Sequence, residues 1–129
     1  QFPQLERLIF HRIDIETLEN LSWRFNSMFS LRHLTIDIAH DRLRAMPAGF
    51  DAFLCGKLFS SSNLHHSLVL NLDHYAFSLA SLKTSCKNLQ SLTMPIKSLT
   101  DLCLIFDFCP NLQELNVTMT CATIYDSAT

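Results

Sequence analysis

The chain has 129 residues, 48% of them apolar and only 17% charged, in a mass of 14.8 kDa. That is enough for one domain with a sizeable core and too little for two ordinary domains, and 22 leucines argue against disorder. Only two glycines, Gly49 and Gly56, are available, which excludes glycine-rich phosphate cradles and dinucleotide-binding loops. A net charge of -2 and a pI near 6.3 give no electrostatic footprint for a nucleic-acid backbone or an anionic membrane surface.

The longest strictly apolar run, Leu102 to Phe106, is five residues, far short of the roughly 20 that span a bilayer. The chain opens at Gln1 with no basic segment followed by an apolar stretch, so no signal peptide is expected in it. Five cysteines form an odd set without a C-x-x-C pair, which suits a reducing compartment, cytoplasmic or nuclear.

Taken in chain order, an L-x-x-L phrase recurs between helical stretches. The first copy, Phe2 to Phe10 around Leu5 and Leu8, predicts a strand. Ile15, Leu18, Leu21, Phe25 and Met28 then recur at steps of three and four and predict an amphipathic helix over about 16–27, with Trp23 at its margin. The second copy runs from Met28 to Ile36 around Leu31 and Leu34. An insertion at about 39–62 carries Pro47, Gly49 and Gly56 around Phe50, Phe53, Leu54, Leu58 and Phe59, and predicts a loop followed by a short helix. The third copy, Ser61 to Leu70, is imperfect: with Leu64 as its anchor the second leucine is displaced by one, and its register stays open.

Phe77, Leu79, Leu82 and Cys86 read as a further helix before the fourth copy, Cys86 to Met94. Leu99, Leu102, Ile105, Phe106 and Cys109 predict another, capped by Ser98 or Thr100 and with Asp101 favourably placed in its first turn. The fifth copy runs from Cys109 to Val117. The anchors Leu5, Leu31, Leu64, Leu89 and Leu112 are 26, 33, 25 and 23 residues apart, mostly within the roughly 20 to 29 of leucine-rich repeats.

The expected architecture is an α/β leucine-rich-repeat solenoid filling residues 1–129, with about five copies cut from a longer chain. Parallel strands stack at about 4.8 Å and packed helices at about 8 to 10 Å, so equal numbers of each must curve, with the sheet concave and the helices convex. Period-two alternation sends the leucines inward and the intervening residues onto the concave face. The expected partner-binding set is Arg7, Ile9 and His11; His33, Thr35 and Asp37; Ser91, Thr93 and Pro95; and Glu114, Asn116 and Thr118. This mixed row of cations, histidines, hydroxyls and a carboxylate suits a protein or peptide partner held by hydrogen bonds and a few charges.

The phrases Cys86-Lys87-Asn88-Leu89 and Cys109-Pro110-Asn111-Leu112, each followed by a leucine three residues on, resemble the cysteine-containing repeats of F-box proteins, the substrate receptors of cullin-based ubiquitin ligases. The resemblance spans about residues 2–119. It implies a non-enzymatic substrate-binding segment, with the cullin ligase subunits held through an F-box that is not in this sequence. Cysteine or proline would sit where helix hands over to strand, and asparagine and leucine would begin the strand. The alternative is a structural or scaffolding repeat protein with no role in ubiquitin transfer.

No residue pattern calls for a cofactor or a metal. His65 and His66 are adjacent, with Asp73 and His74 nearby, but neighbours on a strand point to opposite faces and cannot share one ion. Cys86 and Cys109 hold equivalent repeat positions, which predicts small buried hydrophobes rather than nucleophiles. Glu16 and Glu19 lie three apart on a predicted helix and read as a solvated face.

Overall fold

The leucine phrases form the strands of one sheet, and their register shows why each leucine is where it is. A computed structural model of the protein describes residues 5–22, 24, 31–41, 43–59, 66–72 and 74–119. Five strands, β1 (Arg7–Ile13), β2 (His33–Ile38), β3 (Ser67–Asn71), β4 (Ser91–Ile96) and β5 (Glu114–Met119), lie side by side in chain order, and every pair is parallel. Leu8, Leu34, Leu68, Leu92 and Leu115 pair in one continuous row across the sheet. Three helices lie between strands: α1 (Ile15–Leu21), α2 (Phe50–Phe53) and α3 (Leu99–Phe108).

This row closes the open register of the third copy. Leu68 is its second leucine, so the matching first position is His65 rather than Leu64, and the leucine row advances by 26, 34, 24 and 23 residues. A slip of one residue would turn Leu68 and Leu70, both fully buried, onto the uncovered side; the sheet therefore enforces a register that alignment on Leu64 misses. Leu64 and His65 themselves lie outside the described residues.

Alternation along each strand produces one covered and one open side. In β2 and β4 burial alternates strictly between half-buried and buried, with Leu34, Ile36 and Ile38, and Leu92, Met94 and Ile96, on the covered side. The outer strands keep the same alternation at lower burial, because each has a neighbour on one edge only. One device interrupts β1: Phe10 pairs with Ile36 but Ile13 with Ile38, so His11 and Arg12 together span one position of β2. Arg12 takes φ 57, the left-handed conformation that a β-bulge residue adopts and that is strained for a residue with a side chain.

The helical segments follow the sequence in part. α1 occupies the first half of the stretch expected at 16–27 and buries Ile15 and Leu18; Trp23, Phe25 and Met28 lie outside the described residues. The insertion is a loop and then a short helix, as its composition implies: α2 starts after Gly49, whose φ of 81 suits glycine, and runs on as a π-helical turn, Leu54–Leu58. Phe50, Leu54, Cys55, Leu58 and Phe59 join the core, and Phe50 packs on Phe77 with ring centroids 5.7 Å apart.

The helix expected through Phe77, Leu79, Leu82 and Cys86 does not form. Phe77 instead makes an isolated parallel bridge to Ile96, with its N–H bonded to the Pro95 carbonyl at 3.1 Å and its carbonyl to the Lys97 N–H at 3.2 Å. Two local features favour this outcome. Pro95 has no N–H to return to β3, so the β3–β4 pairing ends at Val69 and Thr93 and a place beside Ile96 is left for Phe77. The segment is also rich in serine and threonine, whose hydroxyls compete for backbone groups, as Ser78 Oγ does in accepting from the Ala80 N–H at 3.5 Å.

α3 begins at Ser98, one of the two caps the sequence offers, with Asp101 three residues on as its capping-box partner. Its facing differs from the apolar spacing: Ile105 is buried, whereas Leu99 and Phe106 stay 66% and 60% exposed. The reason is Asp101, only 4% exposed, which binds backbone groups beneath the helix and turns that side inward.

Candidate interaction face

The open side of the sheet is a set of rows running across the strands. Its first row is Arg7, His33, Ser67, Ser91 and Glu114, and its second is Ile9, Thr35, Val69, Thr93 and Asn116. Asp37 and Asn71 pair at the next position of β2 and β3, as do Pro95 and Thr118 of β4 and β5. All twelve residues that alternation assigns outward fall on this set or, for His11, on the bulge beside Arg12. Arg7, Ile9, His11, Glu114, Asn116 and Thr118 are exposed; His33, Thr35, Asp37, Ser91, Thr93 and Pro95 are half-buried between neighbouring strands.

Sequence reasoning missed two groups. Ser67, Val69 and Asn71 of β3 were hidden by the open register of that copy. The row just before the strands, Glu6, Arg32, His66, Gln90 and Gln113, was not considered because it precedes the alternating positions. Its regularity shows in the backbone: the carbonyls of Glu6, Arg32, His66 and Gln90 each accept N–H groups from the next strand's start, at 2.7 to 3.0 Å. The recurrent residue before each strand's first position was the available signal.

One corner of the face is cationic. Arg32 Nη1 lies 3.2 Å from His66 Nε2, and since a guanidinium can only donate, that nitrogen of His66 accepts in this geometry. His33 is held below the ordinary histidine range, first by partial burial and then by Arg7, His66 and Arg32, with Glu6 opposing. The far end of the same row carries Glu114, whose carboxylate accepts from Ser91 Oγ at 3.3 Å.

The remaining chemistry-bearing residues are held apart. His66 faces Arg32, while His74 Nε2 lies 2.9 Å from the His40 carbonyl; Asp73 and His65 lie outside the described residues. No group of three histidine, cysteine or acidic side chains suited to a metal ion occurs among the described residues. Cys86 and Cys109 are buried in the turns ahead of β4 and β5, as equivalent repeat positions predict. The Cys86 thiol is pushed up by its hydrogen bond with Cys109 and by burial, while the same bond lowers Cys109 against its own burial. Burial and the Asp51 charge likewise push the Cys55 thiol up to about 11. Glu16 and Glu19 are exposed on α1.

A second cluster sits where β4 leaves the sheet. Tyr75 donates from its hydroxyl to Asp51 Oδ2 at 2.9 Å, Lys97 Nζ is 4.0 Å from the same oxygen, and Lys97 lies 5.3 Å from the Tyr75 ring centroid. It ties the insertion to the loop after β3. Burial and the bond to Asp51 push the Tyr75 phenol up to about 12.

No helix among the described residues is long and apolar enough to cross a membrane. No protein-family model, no curated protein and no solved structure matches the chain.

Proposed function

We propose that the chain is a leucine-rich-repeat solenoid segment whose open sheet face, concave in this reading, binds a protein or peptide partner without catalysing a reaction. The observation that carries the proposal is the sheet itself: five parallel strands in chain order, with one row of leucines on the covered side and mixed polar rows on the other. Chain-order parallel pairing is what stacked repeats produce, each unit meeting only its neighbours. Further support comes from equivalent turns that touch. The Cys86 N–H donates to the Phe108 carbonyl at 2.6 Å, and Asn111 Nδ2 donates to the Lys87 carbonyl at 2.8 Å, one repeat back.

Within this proposal the chain is the substrate-binding part of an F-box-type ubiquitin ligase receptor of the cytoplasm or nucleus. The support is the phrasing around Cys86 and Asn88 and around Cys109 and Asn111, together with free thiols at Cys55, Cys86, Cys103 and Cys109. The test is capture of the full-length protein from cell extract, with mass spectrometry of what it retains, in parallel with a Thr93→Arg variant. Recovery of a cullin and its F-box-binding linker subunit, with a third protein lost on Thr93→Arg, is the expected result. Retained proteins that include neither ligase subunit would sink the ligase assignment and leave a scaffolding protein.

A further inference from the structure

The open face is not electrically uniform, and its asymmetry points to the chemistry of a partner. Arg7 begins β1 on the exposed side, and Arg32 immediately precedes β2. Neither makes an ion pair among the described residues. Arg32 is tied across to β3 through His66 Nε2, 3.2 Å away, an interaction that holds the guanidinium in place without neutralising it. His33, paired with Arg7 in the first row, sits among these cations, and Glu6 is the one carboxylate acting on it. Across the sheet the row becomes uncharged at Ser67 and Ser91 and then acidic at Glu114.

Adjacent strands are about 4.8 Å apart, so Arg7 on β1 and Arg32 at the start of β2 lie within reach of neighbouring side chains of one bound segment. Same-side residues of an extended peptide recur about every 6.6 Å, so the flexible stems of Arg7 and Arg32 can each meet a separate carboxylate of such a segment. Ile9, 45% exposed beside Thr35, offers an apolar contact for the stems of such side chains in the second row. Glu114 at the opposite edge disfavours acidic residues there, and Asp37 on β2 confines them to the start of the first strands.

Resting on the recognition-face reading above, we propose that the β1 to β3 half of the open face docks an acidic peptide segment of a partner protein, with its carboxylates on Arg7 and Arg32. The partner is a protein segment rich in aspartate and glutamate, held in an extended conformation across the first three strands. Its charge is complementary to a corner whose two arginines make no ion pair among the described residues.

The test is fluorescence polarisation of the full chain against three labelled peptides of equal length: glutamate-rich, lysine-rich and neutral Gly/Ser. The expected result is preference for the glutamate-rich peptide, weakened by added salt and on the order of tenfold weaker for an Arg7→Glu/Arg32→Glu variant. An Arg7→Gln/Arg32→Gln variant, which introduces no new charge, should lose part of that binding and guards against misfolding of the reversed one. Glu114→Gln, which removes the opposing carboxylate, should tighten it. Equal binding of the glutamate-rich peptide by the wild type and both arginine variants overturns the proposal. Preference for the neutral or lysine-rich peptide, lost on Thr93→Arg, overturns the acidic partner but leaves the recognition face standing. Binding of none of the three overturns both.

Discussion

Asp101 shows how much one side chain can organise. Its carboxylate accepts from the Leu79 N–H at 2.9 Å, the Ser98 N–H at 3.1 Å, the Ser98 hydroxyl at 3.2 Å and the Lys97 N–H at 3.3 Å. All of these groups donate, so the arrangement requires an acceptor-only carboxylate. Asp101→Asn substitutes an amide donor for one acceptor and should destabilise the fold by about 1–3 kcal/mol, nearly as much as Asp101→Ala. Urea denaturation measures it; an asparagine variant as stable as the wild type would contradict this account. The first-turn place of Asp101 was legible from the helix pattern and the dipole, with the cap left between Ser98 and Thr100. The bond to Leu79 was not, since nothing local links positions 22 residues apart. Tyr75 makes a second residue-scale test. Its folded-state pKa of about 12 lies above the ordinary tyrosine value of 10, so the fold favours the protonated phenol. That contribution is complete below pH 10 and is lost as pH rises towards about 12. Wild type should therefore exceed Tyr75→Phe in stability at neutral pH, by about 1.5–3 kcal/mol for a hydrogen bond to a charged group. The gap should close between pH 10 and about 12; a gap that is constant in alkali would show that Tyr75 does not donate to Asp51.

At the scale of the element, each strand is a leucine position followed by a polar one, and the two should respond differently to substitution. Leu92 has 0% exposure between β3 and β5, whereas Leu115, at the same position of the outer strand, is half-buried. Leu92→Ala should cost about 2–5 kcal/mol and Leu115→Ala clearly less, because a site open on one edge leaves a smaller cavity. Thr93→Ala and Asn116→Ala, from the open side, should each stay within about 0.5 kcal/mol of wild type. Thermal denaturation of the four variants checks the order, and equal losses at Leu92 and Thr93 would reverse the assignment of sides. Strands were the most legible elements because period-two alternation is local and repeated. The segment from Phe77 to Cys86 was misread for a non-local reason: its apolar residues fit helical steps only loosely, and its conformation depends on the missing N–H of Pro95 in another strand. Leu99 and Phe106 were placed by the same spacing argument, and the buried bonds of Asp101 turned them outward.

For the whole molecule, a sheet built in chain order makes stability depend on position along the stack. Neighbouring strands supply one another's burial, so strands with a neighbour on both edges are held more firmly than those with one. The gradient is visible in the leucine row: Leu34, Leu68 and Leu92 are wholly buried, while Leu8 and Leu115 are only partly so. Phe10, Val117 and Met119 repeat the pattern against Ile36, Leu70 and Met94. The insertion adds Phe50, Leu54, Leu58 and Phe59 to the same core as Leu34, Leu68 and Leu92. Opening of the outer strands should therefore cost less free energy than opening of the middle ones. Native-state hydrogen exchange should show amides of β2, β3 and β4 as the slowest and those of β1 and β5 as exchanging faster by local opening. Uniform protection across all five strands would mean that the sheet unfolds as one cooperative unit, and that the stacking of neighbours does not govern its stability. The alternating strands were legible in the sequence but this ranking was not, because a strand's own residues do not say how many neighbours will cover it.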